Sequence, residues 1–513
     1  MTILKGTKHW SLVIVLLVST MLAGCQSSEQ QNSSETKGAS QSPALGTKSE
    51  SVKQEPVTIT WTMRKSIETM KNQEAIEEAV NKMIAEKLNV KLKLNLIDAG
   101  SWDDKIKLMS AAGEPFDLVL SPSVNSFFPN AARGAYIPIG DLIEKYGADI
   151  KNKVDPRAWK AVTVKGNILA VPSQTPYSNP ESFAFKKELV EKYNFDAKSV
   201  KTIQDLEPFL ETIKKNEPSL IPMIATGKVA MTGTYTLANP TLMSMLVYHE
   251  ESGKVSLDFE IPENEANLRT IHDYYKKGYI AKDAAVKTDF LAEAKSGKYA
   301  VLRDSGGYTE DGSKSSSLFG FPTLEALYGY PLIGTNRMVA PATAISATSQ
   351  NPELAMQLLN LVWADPKISN TLAYGLEGQN YTVTAGQGTD TPTIQAKSGA
   401  EQTWAIWHNW VGPLWDQWDS NWNSTKALEA MQENNKNAIT SSILGFNVDT
   451  EPVKAEIAQL SAVFAELMPI FYTGSMPNYD NYVTEAKQKL KSAGLDKVVA
   501  EFQRQIDEWK ANN

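Results

Sequence analysis

VKLKLNL, residues 90–96, and DLVLSP, residues 117–122, decide how this chain folds. The first alternates apolar and polar at every step, the period of a strand buried on one face. The second is a continuous apolar run, as in a strand covered on both faces. Between them Ser101 stands ahead of a helical pattern, with Asp104 three residues on as a capping-box partner. Upstream, VTITW (57–61) reads as another strand, and a helix is expected over 72–88 with Ile76, Val80, Met83, Ile84 and Leu88 on one face. Strand, helix, strand, helix, strand is the rhythm of a parallel α/β sheet.

A similar rhythm resumes after ILAVPSQTPY (168–177), with helices expected over 203–215 and 266–277 and a strand in KYAVLRD (298–304). RMVAPATAIS (337–346) reads as a further strand. Pro352 then opens a helix through LAMQLLNLVWA, a proline suiting the first turn, where its missing N–H is not needed. The last helix carries Val499, Phe502, Ile506 and Trp509 at helical spacing. A chain of 513 residues, 42% of them hydrophobic, is expected to form two or three domains.

At the other end, Lys5, Lys8 and His9 precede the apolar run WSLVIVLLVSTMLA, too short for a comfortable membrane span and suited to an export signal over 1–24. The run ends in LAGC, which resembles a bacterial lipobox, so Cys25 is expected to be lipidated and to anchor the chain to a lipid bilayer. Cys25 is the only cysteine, which rules out a disulfide within the chain. Residues 26–55 are polar and free of aromatics, the composition of a disordered tether that spans roughly 30 Å. The formal net charge is −8, and the two lysines of the signal leave the body more acidic still. That balance argues against nucleic acid as a partner.

Catalytic signatures are missing from the sequence. His249, His272 and His408 show no metal-ligand spacing, no GxSxG or phosphate loop occurs, and no thiol remains beyond Cys25. Adjacent acids such as Asp103-Asp104 and Glu250-Glu251 read as solvated helix faces. No metal, cofactor or catalytic residue is therefore assigned.

TWAIWHNWVGPLWDQWDSNW (403–422) is the strongest functional signal, holding six of the twelve tryptophans. Two groups fit helical spacing, as packing would require, but Gly412-Pro413 should break the helix between them. His408, Asn409, Asp416, Gln417, Asp419 and Asn421 are interleaved. A sugar ring has an apolar C–H face and a rim of hydroxyls, so indoles and hydrogen-bonding groups are wanted together. Trp404, Trp407 and Trp410 are the candidates for stacking. In a parallel α/β sheet ligands bind beyond the carboxyl ends of the strands, which adds Arg64, Trp102, Ser121 and Asn125. Gln174 and Tyr177, Arg303 and Asp304, and Glu377 in its Gly-rich turn complete the set of candidate binding residues.

Four stretches carry a resemblance. SWDDKIKLMSAAGEPFDLVLSPS, AYIPIGDLIEKYG, SATSQNPELAMQLLNLVWADPKISNTLAYGLEGQNYTVT and GLDKVVAEFQRQIDEWK are similar to segments of extracellular solute-binding lipoproteins of bacterial ABC importers, of the LipO/LplA-like, oligosaccharide-binding type. The resemblance implies a two-lobed α/β fold of the type II periplasmic-binding-protein kind, its lobes joined by hinge crossings, with a helical C-terminal part. It places lobe one at 56–171 and 332–380 and lobe two at 172–331 and 381–513, with crossings near 170–174, 330–337 and 379–383. It further implies a cell-membrane receptor, lipid-anchored and facing outward, that captures an oligosaccharide and delivers it to ABC-transporter permease subunits. The alternatives are an extracellular glycoside-active enzyme and a receptor for a peptide or other charged solute.

Overall fold

Ile59, Trp61 and Met63 are fully buried on one side of the first strand, β1 (Val57–Arg64), which runs parallel to β2 (Val90–Ile97) in register from Val57 against Val90 to Arg64 against Ile97. On β2 the alternation of the sequence is the alternation of burial: Val90, Leu92 and Leu94 point inward and Lys91 and Lys93 outward. Both faces of β3 (Leu118–Ser121) are covered, as its continuous apolar run requires. The structure is a computed structural model that describes residues 55–178, 181–225, 235–237, 245–287, 289–304, 308–328 and 331–513. The expected export signal, Cys25 and the tether up to residue 54 lie outside the described residues.

The first sheet has the order β2, β1, β3, Ala342–Ile345, Val171–Pro172, with β1 parallel to both neighbours and Ala342–Ile345 antiparallel to β3. The second sheet has the order Thr323–Tyr328, Glu181–Lys186, Tyr299–Asp304, Ile221–Met223, the last pair parallel. Each sheet carries its own hydrophobic core. The chain leaves the first sheet after Pro172 and joins the second at Glu181. It returns through Leu332–Ile333, which pairs in parallel with Ile439–Thr440, and re-enters the first sheet at Ala342. Helix Pro352–Ala364 has its proline in the first turn as expected, and helix Leu495–Asn512 buries Val498, Phe502 and Ile506 in the second core.

Three expectations are corrected. Ser101 does not form the capping box: residues Ala99–Ser101 are a short 3-10 turn before helix Trp102–Ala112, and the Ser101 hydroxyl turns back to donate to the Asp98 carbonyl at 3.3 Å. Residues 337–341 are not strand, because Thr335–Met338 is a short helix and the strand begins at Ala342. The third crossing is later than 379–383. Tyr381, Ile394, Ala396, Ile406 and Val411 all pack in the first core, and the chain reaches the second only around Ile443 and Phe446. Segment 381–422 therefore belongs with the first sheet.

Candidate functional site

The carboxyl end of β1 delivers Arg64 to the rim of the first sheet. The residues that follow are tied to the tryptophan-rich segment: the Ser66 hydroxyl donates to the Ala405 carbonyl, and Lys71 N–H donates to the Thr403 carbonyl at 2.7 Å. The segment then turns through a single helical turn, His408–Val411, and Gly412 lies against the Pro366–Tyr374 helix. A Cβ at Gly412 would stand 2.5 Å from Ser369 Cβ, so only glycine lets the turn sit this close.

This seating assembles a graded stack. The Arg64 guanidinium lies 5.1 Å from the centroid of Trp410, and the Trp410 and Trp407 rings are 4.9 Å apart at 53°. Trp410 is buried, whereas Trp407 is 54% exposed. Arg64 Nε is buried with no hydrogen-bond partner among the described residues. A cation over a buried indole, beside an indole open to water, offers a flat apolar face and donors for oxygen at its edge. Within the same turn His408 is buried and neither ring nitrogen is hydrogen-bonded among the described residues. Burial alone pulls its pKa down to about 3, so the ring is neutral and supports the platform without charge.

The other tryptophans are placed differently. Trp404 is in the first core, its indole N–H donating to the Leu372 carbonyl at 2.9 Å. Trp418 is buried and stacks on Tyr374 at 6.2 Å and 3°. Trp415 and Trp422 are half-buried. Trp102 is 2% exposed within the first core, since the helix it opens packs its first turn inward. The structure thus sets Trp404 and Trp102 inside the lobe and not on an open surface.

Of the remaining candidates, Ser121 is buried at the end of β3, and Asn125 is exposed in the first turn of helix Val124–Ala132, which Ser123 caps. Gln174 donates to the Lys153 carbonyl at 2.7 Å and accepts from Trp415 N–H at 3.1 Å. The Tyr177 hydroxyl donates to the Ser173 carbonyl at 2.5 Å. Both line a polar cavity of 670 Å³ together with Lys153, Arg157, Trp415 and Asn435. Thr175, between them, accepts from Asn409 of the platform turn at 3.5 Å. Asn409 carried a sequence signal as a polar residue among the indoles; Thr175 carried none.

On the second sheet Arg303 is paired with Glu181, whose other oxygen accepts from the Tyr328 hydroxyl at 2.6 Å. Burial works against the Arg303 charge, but Glu181 and Tyr328 hold its pKa above the usual arginine range. Arg303 is thereby committed within the protein. The Asp304 side chain lies outside the described residues. Glu377 is exposed beside the hairpin Tyr381–Ala385 and Thr393–Ala396, accepting from Gln387 at 3.0 Å. The structure brings Arg64, Trp407 and Trp410 together at one rim, and Gln174 with Tyr177 at a second concavity.

A family model described as bacterial extracellular solute-binding protein matches residues 68–365, and one described as a domain of unknown function, DUF3502, matches 442–511. A carbohydrate ABC transporter substrate-binding protein of Streptococcus pneumoniae is 30% identical over 440 residues, 84% of this chain and 87% of the relative. Among solved structures, the N-glycan transport solute binding protein NgtS of S. pneumoniae matches with a TM-score of 0.76 at 26% identity, over 89% of this chain and 99% of that one. NgtS in complex with Man5GlcNAc matches over the same shares with a TM-score of 0.63 at 27% identity.

Proposed function

The chain belongs to the bacterial extracellular solute-binding proteins, and from that premise we propose that Trp407, Trp410 and Arg64 are where its glycan is held. The protein is a carbohydrate-binding substrate-binding protein of an ABC transporter with the type II fold, and it is not an enzyme. The observation that carries the site is the 54% exposed Trp407 leaning on the Arg64–Trp410 stack. Stacking uses the indole face, and the arginine supplies donors that hydroxyls of the same sugar can satisfy.

The ligand we infer is an oligosaccharide. NgtS, a relative of similar length, is described with Man5GlcNAc. The TM-score is 0.76 to NgtS described without a glycan and 0.63 to NgtS described with Man5GlcNAc, a difference that supports a reading in which the lobes close as ligand enters. A thermal-shift panel of oligosaccharides tests it, because a ligand that binds only the native state raises its stability. A rise in melting temperature with at least one oligosaccharide, and a smaller radius of gyration at saturation, are expected. No shift across neutral and acidic glycans would remove the reading.

The anchor is also a proposal. Cys25, at the end of LAGC and ahead of a polar stretch, becomes the lipidated residue that keeps the receptor at the outer face of the cell membrane, next to its permease subunits. No helix among the described residues is long and apolar enough to cross a membrane. Cys25→Ser is expected to move the protein from the membrane fraction into the medium, and its retention in the membrane would refute the anchor.

A further inference from the structure

Helix Thr425–Asn437 buries Ala427, Leu428, Met431 and Asn435, while Glu429, Gln432, Glu433 and Lys436 are exposed. The spacing of those four, i, i+3, i+4 and i+7, puts them on one face. Such a face is ordinarily solvated, but here all four line the 670 Å³ cavity. The rest of the lining comes from Trp415, Gln174, Tyr177, Asn435 and residues 152–157. A concavity of that volume is within the ~300–1,000 Å³ range of small-molecule sites.

Its walls are fixed by contacts on both sides. The Asn435 side chain donates to the Thr175 carbonyl at 2.8 Å and accepts from Ser178 N–H at 3.1 Å, and the Asn435 carbonyl accepts from Arg157 at 2.9 Å. At the other end of the helix Ser424 caps Ala427 N–H, and Lys426 pairs with Asp311 at 2.7 Å. Gln174, bonded to both the Lys153 carbonyl and Trp415 N–H, holds the tryptophan by its backbone. The Trp415 ring is half-buried, and its indole N–H has no acceptor among the described residues. Ring face and ring donor are both left to a guest.

The charges of the lining say what kind of guest. Each cation already has an acid: Lys153 lies 2.7 Å from Asp416, Arg157 2.7 Å from Asp155 and Lys436 3.9 Å from Glu433. An anionic ligand would find no spare cation, and Glu429 would repel it. Glu429, Gln432 and Asn152 have no side-chain partner among the described residues. They offer a carboxylate acceptor and two amides, each amide both donor and acceptor, beside an indole. That combination matches the apolar face and hydroxyl rim of an uncharged sugar. We propose that this cavity is a second sugar-binding site of the receptor, with Trp415 stacking on the ring and Glu429, Gln432 and Asn152 bonding its hydroxyls. The proposal rests on the carbohydrate reading. The sugar has two possible sources, a distant unit of the glycan seated on Trp407 and Trp410 or a separate saccharide. Trp410 and Trp415 are five residues apart, a stretch of at most about 18 Å, so one oligosaccharide can reach both.

The test is calorimetric titration with Man5GlcNAc and Man1GlcNAc, the glycans described with NgtS. The variants are Trp415→Ala and the double change Glu429→Ala with Gln432→Ala, whose exposed side chains can be removed without opening the core. Both variants are expected to bind Man5GlcNAc at least tenfold more weakly than the parent, by the same factor at low and moderate salt because no net charge is engaged. One equivalent of Man5GlcNAc, with Man1GlcNAc binding unchanged by either variant, assigns the cavity to the far part of the same glycan. Two equivalents in the parent, reduced to one in both variants, assign a separate saccharide. Parent-like binding by the double variant overturns the proposal whatever Trp415→Ala does, since a loss in Trp415→Ala alone is packing damage, and it leaves the carbohydrate reading standing. A loss that shrinks as salt rises overturns the assignment to an uncharged sugar. Absence of binding of both glycans to the parent overturns the proposal as well, and the oligosaccharide panel then decides whether the carbohydrate reading goes with it.

Discussion

At the end of β1 a guanidinium lies over an indole and pairs with no acid among the described residues, while near the end of the Tyr299–Asp304 strand a guanidinium holds both an acid and, through it, a phenol. Arg64 and Arg303 arise from the same local pattern, an arginine at the close of an apolar strand. The surroundings separate them. The second rim closes its charges on one another and gains rigidity; the first leaves a cation and a flat apolar face for something from outside. The buried titratable groups follow the same division. Beneath the first rim His408 is neutral and without a hydrogen-bond partner among the described residues, whereas the second keeps a charged pair out of water.

The largest effect expected from this contrast is at Glu181. Glu181→Ala leaves Arg303 buried beside Tyr328 without its counter-charge, and breaking a buried pair from one side costs about 3–5 kcal/mol. Arg64→Ala removes no ion pair and should lower stability by about 1 kcal/mol or less. Urea unfolding of the two variants checks this. Equal losses would show that the two arginines are equally structural and would dissolve the contrast between the rims.

Within the first lobe the comparison narrows to two tryptophans three residues apart. Trp404→Ala empties a filled site in the core and deletes a partner of the Leu372 carbonyl, at a cost of about 3–5 kcal/mol of stability. Trp407→Ala removes an exposed ring and should change stability by no more than about 1 kcal/mol. Its loss in glycan affinity should be about 2 kcal/mol, as for other aromatic hot spots. Unfolding curves and titrations on both variants sharpen the difference. Normal glycan binding by Trp407→Ala would shift the site away from the platform and toward the cavity at Gln174 and Trp415.

These residues also mark what the sequence could reveal. VKLKLNL and DLVLSP each state their burial through their own pattern, so the first sheet was legible down to its faces. The break at Gly412-Pro413 was legible for the same reason: it is local. Which tryptophan faces water was not, because Trp404, Trp407 and Trp410 share one spacing and the exposed ring is selected by how the segment seats on residues 65–71 and on Ser369. The third crossing was misplaced because Tyr381 and Ile394 are apolar enough for either core, and only tertiary packing says which. Arg64 was picked out by its strand end, but so was Arg303, and the acid that separates them lies 122 residues away in the chain.

The smallest effect tests the neutral group under the first rim. His408 has a folded pKa of about 3, below the value near 6.5 it takes in the unfolded chain. Between those values the unfolded state binds a proton that the folded state refuses, so stability rises with pH. The contribution is fully present above about pH 6.5 and is lost as pH falls toward the folded value, at up to about 1.4 kcal/mol per pH unit for one such proton. Depressed carboxylates also lose stability in acid, and those at Asp311 and Glu501, with pKa values of about 2, do so below their unfolded values near 4. The window from pH 6 to 5 therefore isolates histidine. His408→Leu removes the titrating ring, and because repacking shifts the two proteins by a constant, the readout is the change in their difference with pH. Urea unfolding at pH 7, 6 and 5 should show the parent losing about 1 kcal/mol more than His408→Leu between pH 6 and 5. Parallel losses would mean that the imidazole takes its proton in the folded protein too. The first rim would then carry a charge under its indoles, and its contrast with the Glu181–Arg303 rim would rest on Arg64 alone.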